Sequence, residues 1–270
     1  MKFDMSEAWR DAVAMLTANR EVLLIVAGIF FLLPSVVLAL SVGDLEEAIV
    51  GDPETAAAQL YAMYADWWWL FAAVLLVQAV GYLALLSLLR DSSRPTVGEA
   101  LKTGVVGLLP AIGAYLLTTL GLGILFGALL GLAGVIGNAV FVALMVIVVI
   151  VLGVYVGVKL SLSGPVIAID KVSNPVRVLA RSWHLTKGNS FRLLLFYLLL
   201  AVVYVIVSIL LAAVIGALTL AFGSDSALTI RGIISGVFSA AVTVVLVAII
   251  AAVHRQLSGP SAAAIGEMFE

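Results

Sequence analysis

Cysteine is absent from the 270 residues. That excludes disulfides, thiolate metal sites and cysteine nucleophiles. Charge is scarce as well: 11% of residues are Asp, Glu, Lys or Arg while 64% are hydrophobic, against about 25% charged in a soluble domain. In water such a chain would expose large apolar patches and aggregate, so the composition calls for lipid as the solvent. The net charge of -2 leaves no basic excess to neutralise phosphates, and nucleic acid is not an expected partner. Histidine occurs twice, at His184 and His254. Ser182 and His184 are two apart and point to different sides of a helix, which does not make a nucleophile–base pair. No HExxH, GxSxG, P-loop or dinucleotide fingerprint occurs. No catalytic residue, cofactor or metal ligand is expected, and the chain does not read as an enzyme.

What is present is apolar sequence in long runs. The run 22–42 lacks charge and is 21 residues long, enough to cross a bilayer, which takes about 20. It is too long, and too mixed in charge ahead of it, for a secretory signal peptide. It reads as an uncleaved first span. A second covers 67–89. No charged residue stands between Lys102 and Lys159, a stretch that must cross twice, with a turn at the glycine-rich 133–138. This gives spans at 106–132 and 139–162, followed by 193–218 and 232–253. Strict apolar–polar alternation, the mark of a membrane barrel, is missing. The expected fold is therefore all-α, one membrane domain of six helices in three hairpins over residues 1–270.

Basic residues set the orientation. Segments 1–21, 90–103, 159–192 and 254–270 hold 13 of the 14 Lys and Arg residues, and only Arg231 falls on the other side. Those four segments read as cytoplasmic, with both termini inside. The loop 43–66 has six acidic residues and no basic one and reads as outside. Trp9, Trp67, Trp68, Trp69 and Trp183 all fall at span ends or flanks, where indole anchors at the headgroup level. The expected location is a bacterial inner membrane.

Each hairpin is expected to follow a short interfacial amphipathic helix. Residues 6–21 place Ala8, Ala12 and Met15 on one face. Thr96 and Glu99 fit a capping box. Asn174 and Pro175 fit the cap and first position of a helix in which Val176, Leu179 and Trp183 share one face and Arg177, Arg181 and His184 another, with Gly188 as its stop. Units beginning near Ser6, Thr96 and Asn174 suggest a threefold internal repeat.

The segment 165–195 carries Pro165-Val166-Ile167-Ala168, Arg181-Ser182-Trp183 and Leu185-Thr186-Lys187-Gly188-Asn189. It resembles the membrane domain that precedes the catalytic barrel of some bacterial glycerophosphodiester phosphodiesterases, and is similar to the YciC-like family of bacterial inner-membrane proteins. The resemblance implies a six-helix membrane domain. It does not imply phosphodiesterase activity, because that barrel takes about 250 residues that this sequence does not hold.

Lys171, Arg177, Arg181, Lys187 and Arg192 lie within 22 residues beside Asp170. They form the candidate site for anionic headgroups, since each cation near an anionic leaflet is worth about 1 kcal/mol. The competing reading is that they only enforce topology. Lys159 is expected to snorkel to the interface, and His254 with Arg255 to anchor the sixth span to headgroups. Gly123, Gly127 and Gly131, Gly153 and Gly157, and Gly232 and Gly236 form small-residue stripes suited to close helix packing within one bundle. Ser235, Ser239 and Thr243 form a neighbouring stripe on the sixth span. No acidic residue sits in a span, which argues against ion-coupled transport. The expected role is structural or accessory, in lipid or envelope organisation. A lipid or amphiphile transporter using spans three and four is the alternative, and an intramembrane lipid-modifying enzyme is a remote one. Membrane lipids are the expected partners.

Overall fold

The computed structural model describes residues 2–42, 53–89, 96–222 and 224–259. Nine helical segments follow in order: α1 Met5–Ala18, α2 Arg20–Val42, α3 Pro53–Leu88, α4 Val97–Ile136, α5 Ala139–Leu160, α6 Ser163–Ala168, α7 Pro175–Leu185, α8 Ser190–Phe222 and α9 Ser224–Ser258. No strand occurs among the described residues. Six stretches are long and apolar enough to cross a membrane: α2, Thr55–Leu88, α4, Ala139–Ala168, Ser190–Leu218 and Ile230–Ser258. The chain is an all-α, multi-pass membrane protein. The spans expected from hydropathy all form, and most run beyond the expected bounds.

Side-chain caps decide where several helices begin. Asp4 accepts the amides of Ser6 and Glu7 at 2.8 and 3.0 Å. Thr96 and Glu99 complete their capping box, with Glu99 Oε2 accepting the Thr96 amide at 2.9 Å. The turn between the third and fourth spans is Gly137, at φ 67°, followed by Asn138, which accepts the amides of Val140 and Phe141. Asn174 accepts the Arg177 amide at 3.1 Å, with Pro175 at the first position of α7. Pro34 has no N–H to give. One turn of π-helix, Gly28–Leu32, precedes it within α2 and absorbs the interruption.

Three expectations change. The second unit has no separate interfacial helix among the described residues, because α4 runs unbroken for 40 residues, about 60 Å and twice the hydrocarbon thickness of about 30 Å. Only α1 and α7 stand apart, so the threefold repeat is imperfect. The loop 43–66 is shorter than expected, since α3 begins at Pro53, while 43–52 lie outside the described residues. Finally, α7 buries Val178 and Ser182, whereas Val176 and Trp183 of its expected apolar face are 62% and 41% exposed.

The spans are neighbours in chain order, α2 beside α3, α3 beside α4, α4 beside α5, α5 beside α8 and α8 beside α9, with α9 closing back on α2. The packed core sits at the end that carries the basic residues. There Leu83–Leu86 of α3, Val247–His254 of α9 and Leu162, Val166 and Ile167 beside α6 are buried together. The N-terminal segment is locked onto this end. Ala8 and Ala12 are small enough to seat α1 against α9. The Phe3 amide donates to Asn189 Oδ1 at 2.9 Å, Arg192 donates to the Phe3 carbonyl at 3.3 Å, and Arg255 pairs with Asp11 at 2.5 Å. Towards the other end the helices separate. The most apolar windows of α5–α6 and α8 contain no buried residue, so their side chains face lipid or a groove.

Glycines explain which pairs approach closely. A Cβ on Gly104 would lie 2.5 Å from the Val80 carbonyl oxygen, on Gly81 2.4 Å from Phe30, and on Gly164 2.5 Å from Tyr82. Gly232 and Gly236 do face α2: a Cβ on Gly232 would lie 3.2 Å from Ala39, and one on Gly236 3.1 Å from Leu32 and Val36, so their lack of a side chain lets α9 approach α2. By contrast Gly123, Gly127, Gly131 and Gly157 face open space, and a Cβ on Gly153 would meet the Phe126 ring at an ordinary 3.6 Å. The packing stripes expected of the third and fourth spans are not used within this bundle.

Candidate functional site

The five cations of 171–192 do not converge. Arg181 pairs with Asp170, Arg192 serves the N-terminal segment, and Arg177 and Lys187 are exposed with no hydrogen bond or ion pair from their side chains to a described residue. Lys171 lines a different cavity, across the α6–α7 turn. Asp170 is the hub of this end. His254 Nε2 lies 3.4 Å from its other oxygen, at the outer limit of a hydrogen bond, and meets no better-directed acceptor. Burial pushes the Asp170 carboxyl up. The hydrogen bonds and charges of His254 and Arg181 outweigh that and hold it below the usual carboxylate value. His254 is 2% exposed, so it does not anchor α9 to headgroups as expected; it ties α9 to the α6–α7 turn.

Lys159 does not snorkel. It is 4% exposed, with the rings of Tyr155 and Trp183 over its ammonium. Its ammonium lies 5.7 Å from the Tyr155 ring centre and 5.3 Å from that of Trp183, and the two rings meet edge to face at 5.7 Å. This is cation–π geometry. Trp183 is thus a lid on Lys159 as well as an interfacial side chain. Trp68, Trp69 and Trp9 are exposed, and Trp67 is half-buried. Trp68 stands about 20 residues before the end of α3 at Leu88, about 30 Å along a helix, which matches the span of the hydrocarbon.

A concavity with a volume of about 1270 Å³ lies between α8 and α9. At the basic end both helices are held in the core, by Leu193 and Phe196 of α8 and Val247–Val253 of α9. Beyond it α9 leans on α2 through Gly232 and Gly236, away from α8, and the groove opens. Its apolar lining includes Leu200, Leu211, Ile215 and Leu246. A polar line runs through it: Tyr204, Ser208, Ser235, Ser239 and Thr243, with Arg231 towards the far end. Tyr204 stacks on Phe238 at 5.9 Å across the two helices. Thr243 donates to the Ser239 carbonyl at 2.8 Å. The buried Ser208 hydroxyl has no hydrogen-bond partner, a deficit that apolar surroundings make costly.

The groove lies between spans five and six, whereas the alternative transporter reading pointed to spans three and four. The signal was the Ser235, Ser239 and Thr243 stripe beside the glycines of the last span. Its partner stripe on α8 rests on Tyr204 and the single Ser208 and is too sparse to stand out. No group of three or more His, Asp or Glu residues suited to a metal occurs among the described residues. No protein-family model, no curated protein and no solved structure matches this chain.

Proposed function

We propose that the protein binds an amphiphile in the α8–α9 groove of a bacterial inner membrane, with its basic end and both termini in the cytoplasm and the acidic loop outside. The observation that carries this reading is the groove itself. At about 1270 Å³ it exceeds the usual few hundred to 1,000 Å³ of small-molecule pockets. It combines an apolar wall for an acyl chain with hydroxyls that a purely lipid-facing surface has no use for. Ser235, Ser239 and Tyr204 place such hydroxyls along the groove. The deep end stops above the packed core at Tyr197 and Leu246. The lining runs from Tyr197 to Leu220 on α8, about 35 Å along a helix, so an amphiphile enters sideways from the surrounding lipid, and the role is holding or presenting it.

Native mass spectrometry from nanodiscs tests this against the structural role expected from sequence. Ala212 lines the groove and is exposed, so Ala212→Trp fills it without touching the core. The reading requires that the wild type retain a defined amphiphile which Ala212→Trp loses at an unchanged melting temperature. Equal, unselective lipid adducts on both forms would leave the accessory role in the envelope as the better account.

A further inference from the structure

A second cavity, of about 550 Å³, lies at the basic end where α3, α4 and the α6–α7 turn meet. Its floor is apolar: Val106, Pro110, Ile167 and Val172. Gly107 closes it, since a Cβ there would stand 2.9 Å from Ile167 and 3.0 Å from Leu83. Its rim is polar and carries Ser173, Lys102 and Lys171, with the buried Ser87 deeper in. One carboxylate, Glu99, also lines it, but Glu99 Oε2 is engaged by the Thr96 amide in the helix cap.

Lys171 is held there by an unusual backbone. Among the described residues it alone, of those that are not glycine, has positive φ, at 56°. The turn is closed by the amides of Ile169 and Asp170 on the Pro165 carbonyl and of Val172 on the Val166 carbonyl. Closures of this kind ordinarily place glycine at the left-handed position, where a side chain is strained. The same turn sends Asp170 to Arg181 and His254. A lysine at a position suited to glycine, on the rim of a cavity that a second lysine shares, fits a side chain kept for a ligand.

We propose that this cavity binds a phosphate group. Lys102 and Lys171 supply the charge, Ser87 and Ser173 supply hydroxyl donors, and the apolar floor takes the carbon skeleton attached to the phosphate. The ligand is a phosphate ester, drawn either from an anionic lipid headgroup or from a soluble phosphate. The proposal stands on a different cavity from the α8–α9 groove and does not depend on it. It also separates Lys171 from Arg177, Arg181, Lys187 and Arg192.

The experiment uses the full chain in nanodiscs of phosphatidylcholine alone. Binding is measured with added phosphatidic acid in the disc, and separately with glycerol phosphate in solution. Lys102→Gln combined with Lys171→Gly is expected to weaken binding roughly ten- to thirtyfold. Lys171→Gly alone weakens it severalfold while the melting temperature does not fall, because glycine relieves the left-handed strain. Arg177→Ala with Lys187→Ala leaves it unchanged, as does Ala212→Trp. Competition by glycerol phosphate assigns a soluble source, and binding of phosphatidic acid alone assigns a headgroup. Equal binding by the wild type and the double variant, or no binding of either probe, overturns the proposal.

Discussion

The Ser182 hydroxyl donates to the main-chain carbonyl of Lys159 at 2.8 Å, joining the interfacial helix α7 to the end of the fourth span. Thr186 reaches the same carbonyl at 3.4 Å. Both residues are fully buried, so neither hydroxyl can be exchanged for water. Ser182→Ala leaves the carbonyl weakly served, and a loss of about 1–3 kcal/mol is expected. Thermal unfolding in detergent reads this directly. An unchanged midpoint would mean that the contact is incidental.

Asp170 makes stability depend on pH in a definite direction. Its carboxyl titrates below the usual range in the folded chain. Its contribution is therefore complete above the unfolded carboxylate value of about 3.9 and disappears as pH falls through the lower folded value. The melting-temperature gap between wild type and Asp170→Asn should be widest near neutrality and close on acidification through that window. A gap independent of pH would show that the Arg181 and His254 contacts contribute nothing through charge.

Two glycines separate close packing from composition. Gly104→Ala forces a Cβ onto the Val80 carbonyl oxygen, which is backbone and cannot swing aside. A destabilisation of about 1–3 kcal/mol is expected. Gly127→Ala meets open space and should be neutral or slightly stabilising, since alanine is the better helix former. Equal melting temperatures for the two variants would contradict the α3–α4 crossing described above.

Phe3 is 3% exposed and packs on Phe196 with ring centres 5.5 Å apart. Phe3→Ala removes the apolar plug that holds the N-terminal segment, at a cost of about 3 kcal/mol or more. Limited proteolysis should then cleave before α2 much faster than in the wild type. Unaltered protection of residues 2–18 would assign the docking instead to the Asp11–Arg255 pair and to the hydrogen bonds that Gln256 makes with Asp4 and Glu7.

The spans were readable because lipid demands an uninterrupted apolar run, a signal that survives without tertiary information. Asn138, Asn174 and the Thr96–Glu99 box were readable for a similar reason, since caps act within three residues. The face of α1 followed from Ala8, Ala12 and Met15. The face of α7 did not, because beside Val178 it is buried through Ser182 and, just past its end, Thr186, polar residues satisfied by a carbonyl from another helix. Hydrophobicity alone points to Val176, Leu179 and Trp183 instead. The glycine stripes of α4 and α5 had the right spacing but no partner, while Gly81, Gly104 and Gly164 stand singly where helices touch. Spacing within one helix cannot say which neighbour arrives. His254 looked like an anchor only because Asp170, 84 residues away in sequence, was not known to face it.

The separation of α8 from α9 beyond the core has a mechanical meaning. Around the basic end, side chains interlock and set the distance between helices. Around the groove the two helices meet through the Tyr204–Phe238 stack, with the concavity on either side of it. The distance between α8 and α9 is thus fixed by interlocked side chains at the basic end and by the Tyr204–Phe238 ring pair further out, so the two stretches tolerate different changes of that distance.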